Sequence, residues 1–329
     1  MSRVAVLGAG GFGTALAVHL AGQGHDVALW ARSAARAEDL ARTRENGVYL
    51  PGVQLPPRVR PTADLAVALR GSEALLLCVP SQHVRAVAVE LRRHDLPDLV
   101  MDGAKGLELP GLLRMSEVLG AHGVDAVALS GPSHAEELGR GQITALVAGH
   151  PVAAHRLAAQ RLLHGGALRV YTSEDRTGVE LGGALKNVLA LAAGVAEGLG
   201  LGDNVRAALL TRGLAEMTRL GVAAGARPST FAGLAGLGDL LATVSSPWSR
   251  NRRTGVALGR GARLADVLAA SPMVVEGVPA TRATVALACA LGVEVPIAAA
   301  LERLLFAETD PHAEIEALLT RALREEDSW

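Results

Sequence analysis

Two patterns of apolar and polar positions divide the chain. In its first half, short apolar runs rich in β-branched residues recur at 3–7 (RVAVL), 26–30 (DVALW), 74–79 (ALLLCV), 98–102, 126–129 and 143–148. Each reads as a strand, and helical stretches such as 84–93 lie between some of them. Beyond about residue 173 the strand signals stop. Segments 180–199, 206–220, 263–268, 280–291 and 300–306 are rich in Ala and Leu at helical spacing. Segment 312–324 continues the pattern, with Ile315, Leu318, Leu319 and Ala322 forming an i, i+3, i+4, i+7 stripe. The expectation is an α/β protein: a Rossmann-type, doubly wound parallel sheet over 1–172, followed by an all-helical domain over 173–329.

The first strand runs into Gly8-Ala9-Gly10-Gly11-Phe12-Gly13 and then a helical pattern. A G-x-G-x-x-G motif is weak alone but specific where it leaves a strand, opens a helix and precedes a second strand. Gly8 permits the turn, Gly10 lets the backbone approach a diphosphate, and Gly13 lets helix and strand pack closely. At the end of the second strand an NAD site would place Asp or Glu for the ribose hydroxyls; this chain has Arg32, within Trp30-Ala31-Arg32-Ser33. Arginine suits a 2′-phosphate, so NADP(H) is the expected cofactor, with NAD(H) a second choice; Arg32 as a plain solvated charge is the competing reading.

Composition narrows the function. The 32 basic residues balance 33 acidic ones to a net charge of −1, and aromatics are scarce, which argues against a nucleic-acid or membrane-surface binder. The uncharged stretch from Val4 to His25 is interrupted by glycines and reads as a strand entering a turn, not a leader or a membrane span. Cys78 and Cys289 lie in apolar runs and read as buried thiols of a reducing compartment, hence a cytoplasmic protein. The histidines and cysteines show no zinc-type spacing, so no metal is expected.

Of the basic residues only Lys105 and Lys186 are lysines; the other 30 are arginines. Lysine differs from arginine in having a pKa that an environment can move. Lys105 follows a predicted strand, where parallel sheets bind ligands. Lys186 sits in an apolar helix, where desolvation lowers its pKa toward neutrality and fits it for proton exchange. A snorkelling lysine is the alternative. Asp239, flanked by Gly238 and Leu240, reads equally as a site residue or a helix cap. Ser249-Arg250-Asn251-Arg252-Arg253 is by composition a solvated basic loop, or else a pocket for one small anion.

Together these motifs resemble the bacterial NAD(P)-dependent glycerol-3-phosphate dehydrogenases. The stretches that carry the likeness are GAGGFGTALA, GHDVALWAR, VPSQ, AKGLE, SGPSHAEEL, GVELGGALKNVLALAAG, TRGLAEMTRLG, GLAGLGDL, SRNRRTG and VVEGV, in that order along nearly the whole chain. The resemblance implies reversible reduction of dihydroxyacetone phosphate to sn-glycerol 3-phosphate, feeding phospholipid synthesis, in a cleft between the two domains. It implies cofactor contacts from Gly11, Phe12, Arg32, Lys105, Ala135, Arg250, Val274 and Glu276. Substrate contacts would come from Lys105, Gly131, Ser133, Asn187, Asp239, Ser249, Arg250 and Asn251, and Lys186 would be the proton donor and acceptor. Members often carry Thr at the position of Ser133 and an aromatic at that of His134. The sequence leaves oligomeric state open, a homodimer included.

Overall fold

All six predicted strands form, and four more join them in a computed structural model that describes residues 1–270 and 273–321. In chain order they are β1 (Arg3–Leu7), β2 (Asp26–Trp30), β3 (Glu45–Asn46), β4 (Leu50–Gln54), β5 (Val59–Thr62), β6 (Ala74–Leu77), β7 (Leu99–Asp102), β8 (Ala126–Ser130), β9 (Thr144–Gly149) and β10 (Leu168–Ser173). Eight of them build one sheet in the order β10-β9-β8-β7-β6-β1-β2-β5, while β3 and β4 form a separate antiparallel hairpin. Within the large sheet every neighbouring pair is parallel except β8 with β9.

Alternation explains how that sheet is covered. Val4, Val6, Val27, Leu29 and Leu76 pack on one face with Leu16 and Leu20 of helix Gly11–Gly22. Ala5, Leu7, Ala28, Leu75 and Leu77 pack on the other with Val84 and Leu91 of helix Val84–Leu91. Successive side chains of a strand point to opposite faces, so a run that is apolar throughout needs helices on both sides. Strand order reverses at β1, which has β2 on one side and β6 on the other. The crevice beyond the carboxyl ends of the strands at such a reversal is the ligand-binding position of open α/β sheets, and the glycine turn of residues 8–13 lies there.

After β10 the described chain is helical. Helix Arg176–Gly198 is buried from Gly178 to Ala196 and forms the axis of a second core with Met217, Leu220, Phe231, Leu258 and Leu301. It is the one described helix long and apolar enough to cross a membrane (mean hydropathy 1.4), but that stretch is wholly enclosed by the protein, as expected of a core helix. Helix Arg250–Gly259 crosses it with backbones touching: a Cβ on Gly255 would lie 2.1 Å from the Leu191 carbonyl oxygen, and one on Gly194 2.2 Å from that of Arg252.

Two expectations need correcting. The 249–253 segment is not a solvated loop: Ser249 caps helix Arg250–Gly259, its hydroxyl accepting from the Arg252 amide at 3.2 Å. Cys289 is exposed rather than buried, on the outer face of helix Gly277–Leu291; Cys78 is half-buried, and burial pushes its thiol pKa upward. The C-terminal stripe begins as expected in helix Pro311–Leu319, but Ala322 lies outside the described residues.

Candidate active site

The glycine turn separates into positions that the fold needs and one that it leaves open. Gly8 has φ +116°, and a Cβ there would lie 2.5 Å from the Cys78 carbonyl oxygen. A Cβ on Gly13 would come within 2.1 Å of the Gly8 carbonyl oxygen, which is the close helix–strand approach anticipated for it. At Gly10 a Cβ would meet nothing within 4 Å. Gly10 is also the N-cap of helix Gly11–Gly22 and makes no side-chain capping bond, so it leaves the amides of the first turn to other acceptors. That combination fits a dinucleotide's diphosphate. Ala135 borders the turn, 3.4 Å from where a Cβ on Gly11 would stand, and the Phe12 ring packs over Gly103. Arg32 is exposed just beyond β2, and forms no hydrogen bond or ion pair among the described residues.

Both lysines converge on one carboxylate. Lys186 Nζ donates to Asp239 Oδ1 at 2.8 Å, and Lys105 Nζ donates to Asp239 Oδ2 at 2.7 Å. Asp239 opens helix Asp239–Ser245 and is 2% exposed, while its residue number lies 134 from Lys105 and 53 from Lys186. Asp239 is not the cap that the sequence offered as one reading: the N-cap is Gly238, and the Asp239 carboxylate oxygens accept from the two lysines. Lys105 also donates to the Gly131 carbonyl at 3.0 Å, where Ser133 Oγ donates as well at 2.9 Å.

Thr243, one turn after Asp239, was missed by sequence reasoning. Its hydroxyl donates to the Asp239 carbonyl at 2.6 Å, and its oxygen accepts from Lys186 Nζ at 2.6 Å. The D-x-x-x-T spacing puts both side chains on one helix face, which was the available signal. An ammonium has three donors; these bonds use two on each lysine and leave one on each for a ligand.

Electrostatics follow from the burial. Desolvation pulls the Lys186 ammonium down to about 8, with Lys105 and Arg250 pushing the same way and Asp239 opposing. Burial alone would raise the Asp239 carboxyl, but Lys105 and Lys186 outweigh it and hold the pKa below the ordinary carboxylate range. Two ammonium groups around one carboxylate leave a net positive site, suited to an anion.

Asparagines extend the cluster. Asn187 Nδ2 donates to the Lys105 carbonyl at 3.2 Å, and its Oδ1 accepts from Asn251 Nδ2 at 2.8 Å. Asn251 Oδ1 in turn accepts from the Gly277 amide at 2.9 Å. Arg250 is exposed at the start of its helix, and its guanidinium donates to the Val274 carbonyl at 2.9 Å. Glu276 reaches back to the sheet half, accepting from the amide and hydroxyl of Ser81 at 3.0 and 2.7 Å. Sequence reasoning had no role for Ser81. Of the predicted residues, Lys105, Gly131, Ser133, Lys186, Asn187, Asp239 and Asn251 form one bonded network. Arg250, Val274 and Glu276 form its rim, Ser249 caps the helix that carries Arg250 and Asn251, and Arg32 stands apart.

Comparison with known proteins identifies the family of the chain. The family model for the NAD-dependent glycerol-3-phosphate dehydrogenase N-terminus matches residues 3–155, and that for the C-terminus of the same enzymes matches 175–316. The chain belongs to the NAD-dependent glycerol-3-phosphate dehydrogenase family. A glycerol-3-phosphate dehydrogenase [NAD(P)+] of Moorella thermoacetica is 52% identical over 309 residues, covering 92% of this chain and 91% of that protein. One from Desulfitobacterium hafniense is 48% identical, covering 99% and 93%. The crystal structure of the family member from Coxiella burnetii superposes with a TM-score of 0.94 at 37% identity, covering 97% of this chain and 99% of that one.

Proposed function

We propose that the cluster around Lys186 is the catalytic centre of a dehydrogenase that interconverts dihydroxyacetone phosphate and sn-glycerol 3-phosphate with NADP(H) or NAD(H). The observation that carries the reading is the pair of lysines on one buried carboxylate, beside an uncapped glycine-rich helix start. When bound, the nicotinamide supplies or accepts the hydride at the substrate C2. The chain's residues do the rest. Lys186, with one donor free and a pKa near neutrality, gives its proton to the C2 oxygen during reduction and takes it back during oxidation. Asp239 and Thr243 fix the direction of that ammonium, and Asp239 holds Lys105 beside it. Lys105, Gly131, Ser133, Asn187, Ser249, Arg250 and Asn251 surround the substrate, with the cationic groups taking its phosphate. Gly8, Gly10, Gly11, Phe12, Gly13, Arg32, Lys105, Ala135, Arg250, Val274 and Glu276 hold the cofactor. Spectrophotometric assay of NADPH oxidation with dihydroxyacetone phosphate tests the reading; absence of turnover would leave a nucleotide-binding regulator.

The sheet of 1–172 serves as the cofactor domain and the helices of 173–329 as the substrate domain. We assign the protein to the cytoplasm, supported by two cysteines that form no disulfide with each other. The oligomeric state, with a homodimer among the open readings, is read by light scattering against the 33.8 kDa of one chain.

Three variants separate the roles within the cofactor half. Gly10→Ala should fold normally, because the space around Gly10 is open, yet weaken both cofactors by about tenfold or more, roughly 1.4 kcal/mol, by standing between backbone and diphosphate. Gly13→Ala should instead lose folding stability on the order of 1–3 kcal/mol, read by urea denaturation, since its Cβ meets backbone. Arg32→Ala should weaken NADPH by on the order of 1.5–3 kcal/mol, the worth of a charged hydrogen bond, and leave NADH nearly unchanged. Equal weakening of the two cofactors would show that Arg32 does not read the 2′-phosphate.

A further inference from the structure

A buried amide that the reaction above does not use holds the glycine turn from outside. Asn46, in the short strand β3, is fully buried. Its Nδ2 donates to the Ala9 carbonyl at 3.0 Å and to Thr14 Oγ1 at 2.7 Å. Its Oδ1 accepts from the Tyr49 amide at 3.2 Å and from the Arg36 guanidinium. A primary amide has two N–H donors and two acceptor lone pairs, so all of its capacity is committed. The partners also fix its orientation, since the Ala9 carbonyl only accepts and the Tyr49 amide only donates.

Those bonds tie together three separate pieces of the cofactor half. Ala9 lies inside the glycine turn, between Gly8 and Gly10, and Thr14 is in the first turn of helix Gly11–Gly22. Tyr49 belongs to the β3–β4 hairpin, and its carbonyl stands 2.7 Å from where a Cβ on Gly11 would be. Arg36 lies in the first turn of helix Ala34–Thr43, four residues after Arg32, with its guanidinium stacked over the Tyr49 ring at 5.2 Å. The hairpin therefore forms a wall against the turn, and Asn46 is the bolt through it.

We propose that Asn46 is a positioning residue for the dinucleotide: it holds the diphosphate-binding turn in its binding geometry before the cofactor arrives and couples that turn to Arg36, four residues after Arg32. Four of the six residues from Gly8 to Gly13 are glycine, which free of restraint samples far more backbone conformations than other residues. Ordering such a turn at the moment of binding lowers affinity, and prior ordering by a buried, fully satisfied amide removes that loss. The proposal rests on the reading of the glycine turn as the diphosphate site.

Direct binding titrations and steady-state kinetics on the full chain test it. Asn46→Asp keeps the acceptors for Tyr49 and Arg36 but has no N–H for Ala9 or Thr14. It should raise Kd for NADPH, NADH and ADP together by about tenfold, with kcat at saturating cofactor and KM for dihydroxyacetone phosphate within about twofold of wild type. Thr14→Val removes one acceptor at nearly constant volume, and should shift the same three Kd values by about threefold. It keeps the test alive should the Asn46 variant fold poorly. Unchanged Kd values in both variants, in a protein whose Gly10→Ala form binds NADPH weakly, would overturn the role of Asn46. Normal NADPH binding by Gly10→Ala would overturn the glycine-turn reading itself. Parallel losses in kcat and in KM for the ketone phosphate would show general damage, and would also sink the proposal.

Discussion

Lys186→Arg should keep its fold and its affinity for NADPH while losing about 10²- to 10⁴-fold in kcat, the range that general acid catalysis supplies. In a chain where arginine is the default cation, this is the substitution that composition alone would favour. The positive charge survives and still polarises a carbonyl oxygen. What disappears is a proton that can leave: guanidinium stays protonated to above about pH 12, whereas burial brings the Lys186 ammonium to about 8. Space opposes the change as well. Lys186 is 6% exposed and wedged between Asp239 Oδ1 and Thr243 Oγ1, and a planar fork cannot put one donor where an ammonium stood. Stopped-flow NADPH oxidation and fluorescence titration of NADPH read the two halves separately. A folded Lys186→Arg enzyme within about threefold of wild-type kcat would leave Lys186 an electrostatic role only.

The wild-type pH profile carries the same signature. Reduction needs the protonated lysine, so kcat/KM for dihydroxyacetone phosphate should fall as pH rises through about 8. Oxidation of glycerol 3-phosphate needs the free amine and should rise over the same interval.

The parts of this site that were legible in the sequence are those whose signal is local. The glycine turn could be read because strand, turn and helix are consecutive, and Lys186 stood out because a lysine within an apolar helix is costly unless used. The edge strand β5 was not legible: VRPT has an arginine and a proline among its four residues, tolerable only where one side of the strand is unpaired. The helix beginning at Arg250 was hidden for a different reason. Its buried face is Asn251, Thr254, Gly255 and Leu258, so it packs through small residues and backbone contact instead of the apolar stripe that periodicity detects. The lysine–aspartate–lysine cluster was invisible as a unit, because its members come from the β7 loop, the core helix and a helix start far along the chain. Only the sheet-to-helix docking, pinned also by Glu180 accepting from the amide and hydroxyl of Ser116 at 2.7 Å each, brings them together.

Because Asp239 serves both lysines, Asp239→Asn should damage stability and catalysis together, with opposite dependence on pH from what loss of a surface ion pair would give. Removing one partner of a buried charge pair leaves the other uncompensated, which costs on the order of 3–5 kcal/mol; Lys105, at 18% side-chain exposure, retains some hydration and places this case toward the low end. Without the carboxylate, desolvation and the neighbouring Lys105 act on Lys186 unopposed, and its pKa falls below the wild-type value of about 8. The sign then follows from linkage. A lysine whose folded pKa lies below its unfolded value makes the protein more stable as pH rises from the folded to the unfolded pKa. The variant enters that window at lower pH than wild type. Asp239 in the wild type is fully ionised there, since its folded pKa is depressed and its stabilisation is lost only in acid. The stability gap between the two proteins, measured by urea denaturation, should therefore be largest near pH 6 and narrow as pH approaches 8. In kinetics, the alkaline fall of kcat/KM for ketone reduction should move to lower pH, and kcat at pH 7 should drop by about 10²-fold or more as the proton donor is lost and misdirected. A gap that stays constant from pH 6 to 8, with the alkaline limb unmoved, would show that Asp239 does not set the protonation of Lys186.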